Sequence, residues 1–205
     1  MKKLLVKVCG MREEDNIRAI EALGIDMMGF IFYPKSPRFV EKRPNYLPER
    51  CKRVGVFVND TLEKIERIVD EYGLYYVQLH GNESTDFCRQ LRKLNIRLIK
   101  TFSIEKEKDF ERTVDYENLC DYFLFDTKTV GYGGAGKTFD WNLLKCYNGK
   151  TPFLLSGGIG TDELPLLKNL NHPLLAGLDL NSKFELSPAV KDEKKVHYFL
   201  DTLYS

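Results

Sequence analysis

Asp121-Tyr122-Phe123-Leu124-Phe125-Asp126 is the stretch on which the reading of this chain turns. Four consecutive apolar residues, Tyr122 to Phe125, have the length of a buried strand, and the run stops at a carboxylate. A loop containing Gly131, Gly133, Gly134 and Gly136 follows, and Phe139-Asp140-Trp141 marks where a helix could begin. In an α/β protein, a polar residue at the carboxyl end of a strand, beside such a loop, sits where ligands bind. Asp126 is therefore a candidate functional residue; the alternative is that it caps the following turn.

The same pattern extends in both directions. Short runs rich in Val, Ile, Leu and Phe predict strands at Leu4–Cys9, Met27–Phe32, Arg53–Val58, Tyr75–Leu79, Leu98–Phe102, Tyr122–Asp126, Phe153–Ser156 and Ala176–Leu180. Apolar residues spaced by three and four predict helices at Glu13–Leu23, Leu62–Tyr72 and Thr85–Leu94. Thr61 and Ser84 fit as N-caps, with Gly24 and Gly73 as helix stops. Two prolines between Lys42 and Pro48 argue against a full helix there, so a short helix is expected at Pro48–Arg53. Helical stretches are also expected over the charged segment Ile104–Asn118 and around Asp162–Leu170. Strands buried on both faces and joined by helical crossovers imply a parallel sheet. An open doubly wound sheet and a closed barrel both satisfy this. The count of eight strands within 205 residues favours a single (β/α)8 TIM barrel, one domain spanning residues 1–205.

Composition narrows the function classes. A net charge of +1 gives no electrostatic footprint for nucleic acid or anionic membranes. No apolar run approaches the roughly 18–20 residues of a membrane span. Lys7 interrupts the apolar run after Met1-Lys2-Lys3, and no small-residue cleavage site follows, which argues against a signal peptide. The five cysteines form no C-x-x-C pair and no zinc spacing, as expected for reduced thiols in the cytoplasm.

In a barrel the carboxyl ends of the strands converge on one face. Those ends supply Cys9-Gly10, the loop Pro34–Arg38, Asn59-Asp60, His80-Gly81, Asp126, Gly157-Gly158 and Asp179–Ser182. The set lacks the His and carboxylate cluster of a catalytic metal, and only His80 of the three histidines lies at a strand end. A metal-free acid–base site fits better. Ser156-Gly157-Gly158-Ile159-Gly160, before a helical stretch, resembles a phosphate cradle that Asn181-Ser182-Lys183 would complete; it is otherwise an ordinary turn. Arg38, in the proline-stiffened loop Tyr33–Arg38, could hold a carboxylate or simply face solvent. Lys7 lies mid-strand, pointing into the barrel or toward the helices, and burying it requires a partner such as Asp126 or Asp179.

Lys7-Val8-Cys9-Gly10, Gly29–Phe32 with Ser36-Pro37-Arg38, Val54–Val58, Gln78-Leu79-His80-Gly81, Phe125-Asp126, Gly157-Gly158-Ile159 and Asp179–Ser182 follow one another in an order that resembles phosphoribosylanthranilate isomerases. So do Gly133–Gly136 and Phe139-Asp140-Trp141, and the resemblance runs from Lys7 to Asp192. It implies an Amadori rearrangement of N-(5-phosphoribosyl)anthranilate to 1-(2-carboxyphenylamino)-1-deoxyribulose 5-phosphate in tryptophan biosynthesis, without a cofactor. Asp126 then matches the general acid that opens the sugar ring, and Cys9 the base that removes the C2′ proton. Arg38 matches the partner of the anthranilate carboxylate. Gly157, Gly158, Asn181 and Ser182 fall in the phosphate loops, while Lys7, His80 and Asp179 lie beside the substrate. The partner implied is a small phosphosugar, with no nucleic acid or membrane; the sequence does not set the oligomeric state, a monomer being one option.

A thiol base needs its pKa lowered toward neutrality, and an acid needs its proton retained; Lys7 could serve the first and the Phe residues around Asp126 the second. By itself Cys9 would read as a buried core thiol. The chain departs from the family at Lys183 and Ala189, where glycines are usual, and at Ser156, where alanine is common. Lys183 could lend charge to the phosphate, and Ser156 is expected to be neutral. Competing readings are an indole-glycerol-phosphate synthase, a sugar-phosphate epimerase, or a non-catalytic phosphate-ligand sensor. The first two lack their required lysine–glutamate or metal set, and Cys9 and Asp126 argue against the third.

Overall fold

The computed structural model describes residues 3–127 and 140–205. Eight parallel strands close into a barrel: β1 (Leu5–Cys9), β2 (Met27–Ile31), β3 (Lys52–Phe57), β4 (Tyr76–Leu79), β5 (Leu98–Ile104), β6 (Tyr122–Thr127), β7 (Phe153–Leu155) and β8 (Leu175–Leu180). All eight coincide with the predicted runs to within a residue or two at each end. Helices α1 (Glu14–Ala22), α2 (Leu62–Tyr72) and α3 (Thr85–Lys93) form where the three-and-four spacing predicts them. Thr61 Oγ1 accepts from the Lys64 N–H, Ser84 Oγ accepts from the Phe87 N–H, and Gly73 caps the end of α2. No helix among the described residues is long and apolar enough to cross a membrane.

The short helix expected at Pro48–Arg53 does not form. The backbone N–H groups of Glu49 and Arg50 donate instead to Oε1 of the buried Glu21, at 2.6 and 2.5 Å, and β3 begins at Lys52. No helix therefore joins β2 to β3. The charged segment after β5 winds as a 3₁₀ helix, Glu107–Tyr116, burying Phe110 and Thr113. A second 3₁₀ turn covers Trp141–Cys146; after β7 come Thr161–Glu163 and the short α4 (Leu164–Asn169). The glycine-rich loop with Gly131 to Gly136, and Phe139, lies outside the described residues.

Alternation along the strands sorts residues into two packing layers. Val6, Val8, Met28, Phe30, Val77, Leu79, Phe123 and Phe125 face the helices in the main core. Met27, Val54, Tyr76, Ile99, Leu124 and Leu154 plug the bottom of the barrel. Above this plug the inward positions turn polar, as they do where a barrel carries its site. The register shifts by one residue between β7 and β8, so that Leu154 pairs with Gly177, and in turn β1 pairs Lys7 with Asp179. Beyond β8, Glu185–Ser187 (β9) and Val190–Lys191 (β10) form a hairpin that the sequence pattern does not announce. Asn16 of α1 clamps it, accepting from the Lys191 N–H at 2.7 Å and donating to the Lys191 carbonyl at 2.9 Å. Helix α5 (Glu193–Tyr204) then returns along the barrel, where the Tyr204 hydroxyl donates to the Leu4 carbonyl at 2.8 Å.

Candidate active site

The inward face of β1 starts the site. Lys7 points into the barrel, is fully buried, and donates from Nζ to Asp179 Oδ1 at 2.7 Å. Burial works against its charge, but Asp179 and then Cys9 outweigh it and hold the ammonium above its ordinary value. Two residues further on, Cys9 reaches the floor of the cleft. Its thiol is raised, chiefly by burial and further by Asp179, with Lys7 and Lys191 pulling the other way. The cation expected beside the thiol is present, yet it does not overcome desolvation. Gly29 makes room for this thiol: a Cβ there would lie 2.7 Å from Cys9 Sγ and 3.1 Å from Cys9 Cα.

Across the barrel, β4 presents Gln78 and His80, and β6 presents Asp126. His80 Nε2 lies 3.9 Å from Asp126 Oδ2. Burial first, then Lys7 and Lys100, pushes the imidazole down to about 4, with Glu83 opposing. Asp126 lines the same cleft as Cys9, so the two strand-end residues share one space.

Arg38 is held rather than solvated. Its Nε and Nη2 donate to the two oxygens of Glu185 at 2.8 and 2.6 Å, a paired fork, and its side chain is 10 % exposed. Lys191 Nζ, fully buried, donates to Glu185 Oε1 at 2.6 Å and to Asn181 Oδ1 at 2.8 Å. Burial tends to raise Glu185, but Arg38 and Lys191 outweigh it and hold the carboxylate low. Two cations thus share one anion at the wall formed by the β2 loop, the end of β8 and the hairpin. That excess positive charge suits an anionic group. Glu185 and Lys191 have no strand-end position and escape a reading of the sequence; only the folded hairpin turns them toward Arg38.

Gly157, Gly158, Asn181 and Ser182 line the same cleft, with Gly157 and Gly158 at φ 86° and 69°. Two successive left-handed residues turn the backbone in a way that side chains resist, which explains the paired glycines. Lys183 Nζ donates to Glu163 Oε1 at 2.7 Å. Ser156 lines the cleft, and its hydroxyl donates to Asp179 Oδ2 at 3.4 Å. The cleft they line opens to solvent. Of the ten residues singled out from sequence, all but Lys7 line it, and Lys7 lies below it, bonded to Asp179. Among the described residues no group of three His, Cys, Asp or Glu side chains is placed to hold a metal ion.

Comparisons with known proteins agree on one family. The model of the N-(5′-phosphoribosyl)anthranilate isomerase family matches residues 6–202. The N-(5′-phosphoribosyl)anthranilate isomerase of Phocaeicola vulgatus is 54 % identical over 200 residues, covering 98 % of both chains. Among solved structures, the phosphoribosylanthranilate isomerase of Thermotoga maritima superposes with a TM-score of 0.84 at 33 % identity, covering 98 % of this chain and 99 % of that one. Another isomerase structure, in complex with reduced 1-(o-carboxyphenylamino)-1-deoxyribulose 5-phosphate, has a TM-score of 0.82 at 30 % identity over the same shares.

Proposed function

This chain belongs to the N-(5′-phosphoribosyl)anthranilate isomerase family, and from that premise we propose which of its residues perform the reaction. The enzyme converts N-(5′-phosphoribosyl)anthranilate to 1-(2-carboxyphenylamino)-1-deoxyribulose 5-phosphate in tryptophan biosynthesis. Asp126 is the general acid. It gives its proton to the furanose oxygen as the bond from C1′ to that oxygen breaks, and the nitrogen lone pair forms the iminium. Cys9 is the general base: its thiolate takes the C2′ proton, and the electron pair left behind neutralises the iminium as the enolamine. Loss of the enol proton and gain of one at C1′ complete the isomerisation, with no net oxidation.

One observation carries this assignment: Cys9 and Asp126, which end the first and sixth strands, line one cleft with Arg38 and the two-glycine turn. Arg38 takes the anthranilate carboxylate. Gly157, Gly158, Asn181 and Ser182 take the phosphate. Asp179 holds Lys7, whose charge opposes the burial of the thiolate. Every group comes from one chain, so we propose a monomer as sufficient for turnover, working in the cytoplasm.

The test is turnover of freshly generated phosphoribosylanthranilate followed by fluorescence. Cys9→Ser and Asp126→Asn should each lose about 10²–10⁴-fold in kcat, the usual contribution of a positioned acid or base. Both should still bind a reduced product analogue, because Arg38 and the phosphate loops remain. In the parent, the working form carries a thiolate and a carboxylic acid together. With the thiol titrating high, the alkaline limb of the pH profile belongs to Cys9: above it, further loss of the acid's proton is no longer offset by gain of thiolate. Cys9→Ser should displace that limb. A folded Cys9→Ser enzyme with near-parental turnover would remove the thiol from the mechanism.

A further inference from the structure

We propose that Gln78 is a positioning residue for ring opening: its amide holds His80 as the neutral tautomer protonated on Nε2, with that N–H turned toward Asp126. The proposal rests on Asp126 being the general acid. Its basis is a chain of contacts across β4, β5 and β6. Gln78 is 1 % exposed, and its Nε2 lies 3.1 Å from His80 Nδ1 and 3.3 Å from Thr101 Oγ1. The placed direction of the amide follows its two contacts. With nitrogen on this side both N–H bonds find acceptors, and only Oε1 stays buried without a hydrogen-bond partner. A hydrogen bond donated to Nδ1 needs the lone pair there, so the ring proton sits on Nε2, the atom 3.9 Å from Asp126 Oδ2.

The charged groups around His80 are Lys7 from β1, Lys100 from β5, Glu83 from the loop after β4, and Asp126 from β6. Burial and the two lysines keep the ring neutral, down to about 4. This neutrality serves the acid. An imidazolium beside Asp126 would favour its carboxylate before substrate arrives, whereas a general acid must keep its proton until the ring oxygen takes it. Once the proton has left, a closure of about 1 Å brings the Nε2–H into hydrogen-bond range of the new carboxylate. The donor then acts on charge that develops during the step, which is the kind of interaction that raises kcat.

Protein labelled with ¹⁵N-histidine reports the tautomer directly, with the other two histidines identified through His172→Gln and His197→Gln. In the parent, His80 should show a hydrogen-bonded, unprotonated Nδ1 and a protonated Nε2 from about pH 5 to 8. Gln78→Met should mix the tautomers and lower kcat about tenfold with KM within about threefold, the loss expected for one hydrogen bond. Gln78→Glu should draw a proton onto Nδ1, raise the titration of His80 and displace a limb of the pH–rate profile. A parental Nδ1–H tautomer overturns the proposal without any variant. So does a Gln78→Met protein with unchanged His80 signals and unchanged kcat. Full activity in Asp126→Asn would remove the catalytic role of this chain of contacts while leaving the tautomer measurement valid, which separates the two failures.

Discussion

Arg38 commits Nε and Nη2 to Glu185, at 2.8 and 2.6 Å, which leaves the Nη1 edge of the guanidinium for the substrate carboxylate proposed above. A planar fork can serve two carboxylates at once; an ammonium cannot. Arg38→Lys should therefore lower kcat/KM by about tenfold or more, the loss of one charge-assisted bond, mostly through KM. Steady-state kinetics decide this, and parental efficiency would reduce Arg38 to a structural partner of Glu185. At this scale the legible residues were those near the end of a strand or in the loop beyond it. Cys9, Asp126, Arg38, His80 and Asp179 follow apolar runs that fix where the chain turns, so their convergence follows from the barrel. The chemistry around them was less legible. The thiol of Cys9 is raised, not lowered, because desolvation outweighs Lys7. Gln78 sits within a strand, where only the fold shows that it turns inward and bonds His80.

Elements with a clear period were legible, and those set by a single side chain were not. The eight strands and α1 to α3 follow their apolar spacing. The stretch from Pro48 carries no period strong enough to resist the Glu21 carboxylate, which takes its N–H groups. The β9–β10 hairpin spans too few residues to show alternation, and Ala189 within it adopts φ 70°, where glycine would be expected. Yet this hairpin carries Glu185 and Lys191. Glu185 accepts from Arg38, Lys191 and the Ala189 N–H, and its side chain is 6 % exposed. Glu185→Gln leaves two cations without their anion and should cost about 3 kcal/mol or more at neutral pH. The sign with pH follows from a depressed carboxylate. Its contribution is complete above the unfolded value of about 4.3 and is lost as pH falls through the lower, folded one. Urea midpoints of the parent and Glu185→Gln should thus lie well apart at neutral pH and converge in strong acid. A constant gap would assign the loss to shape rather than charge.

At the scale of the whole molecule, barrel closure and the proposed acid–base site meet at one pair. The barrel closes where β1 meets β8, in the register that sets Lys7 opposite Asp179. Their buried contact at 2.7 Å is the polar link across that seam, directly beneath the thiol of Cys9. A buried pair of this kind is weak evidence for stability, because the desolvation of two charges offsets most of their attraction. Removing one partner is different, since it strands the other. Lys7→Met should lose about 3–5 kcal/mol by leaving Asp179 buried with, among the described residues, the Ser156 hydroxyl as its side-chain donor. Lys7→Met combined with Asp179→Leu should recover most of that loss, since apolar packing of similar volume can replace a buried pair. The double variant should nonetheless remain inactive, because nothing would then offset the burial of the Cys9 thiolate from below. Charge on Lys7 is not in question near neutrality. Its folded value is raised, so the contribution of the pair is complete below the ordinary value of 10.5 and is lost only as pH climbs through the folded one. Denaturant unfolding and turnover, measured on the single and double variants, separate the two roles. A double variant as unstable as Lys7→Met would make the pair a structural necessity of closure, and one that turns over normally would free Cys9 from its dependence on Lys7. The expected combination, a stable but inactive barrel, means that the ion pair is kept at the seam for the thiolate above it rather than for the fold.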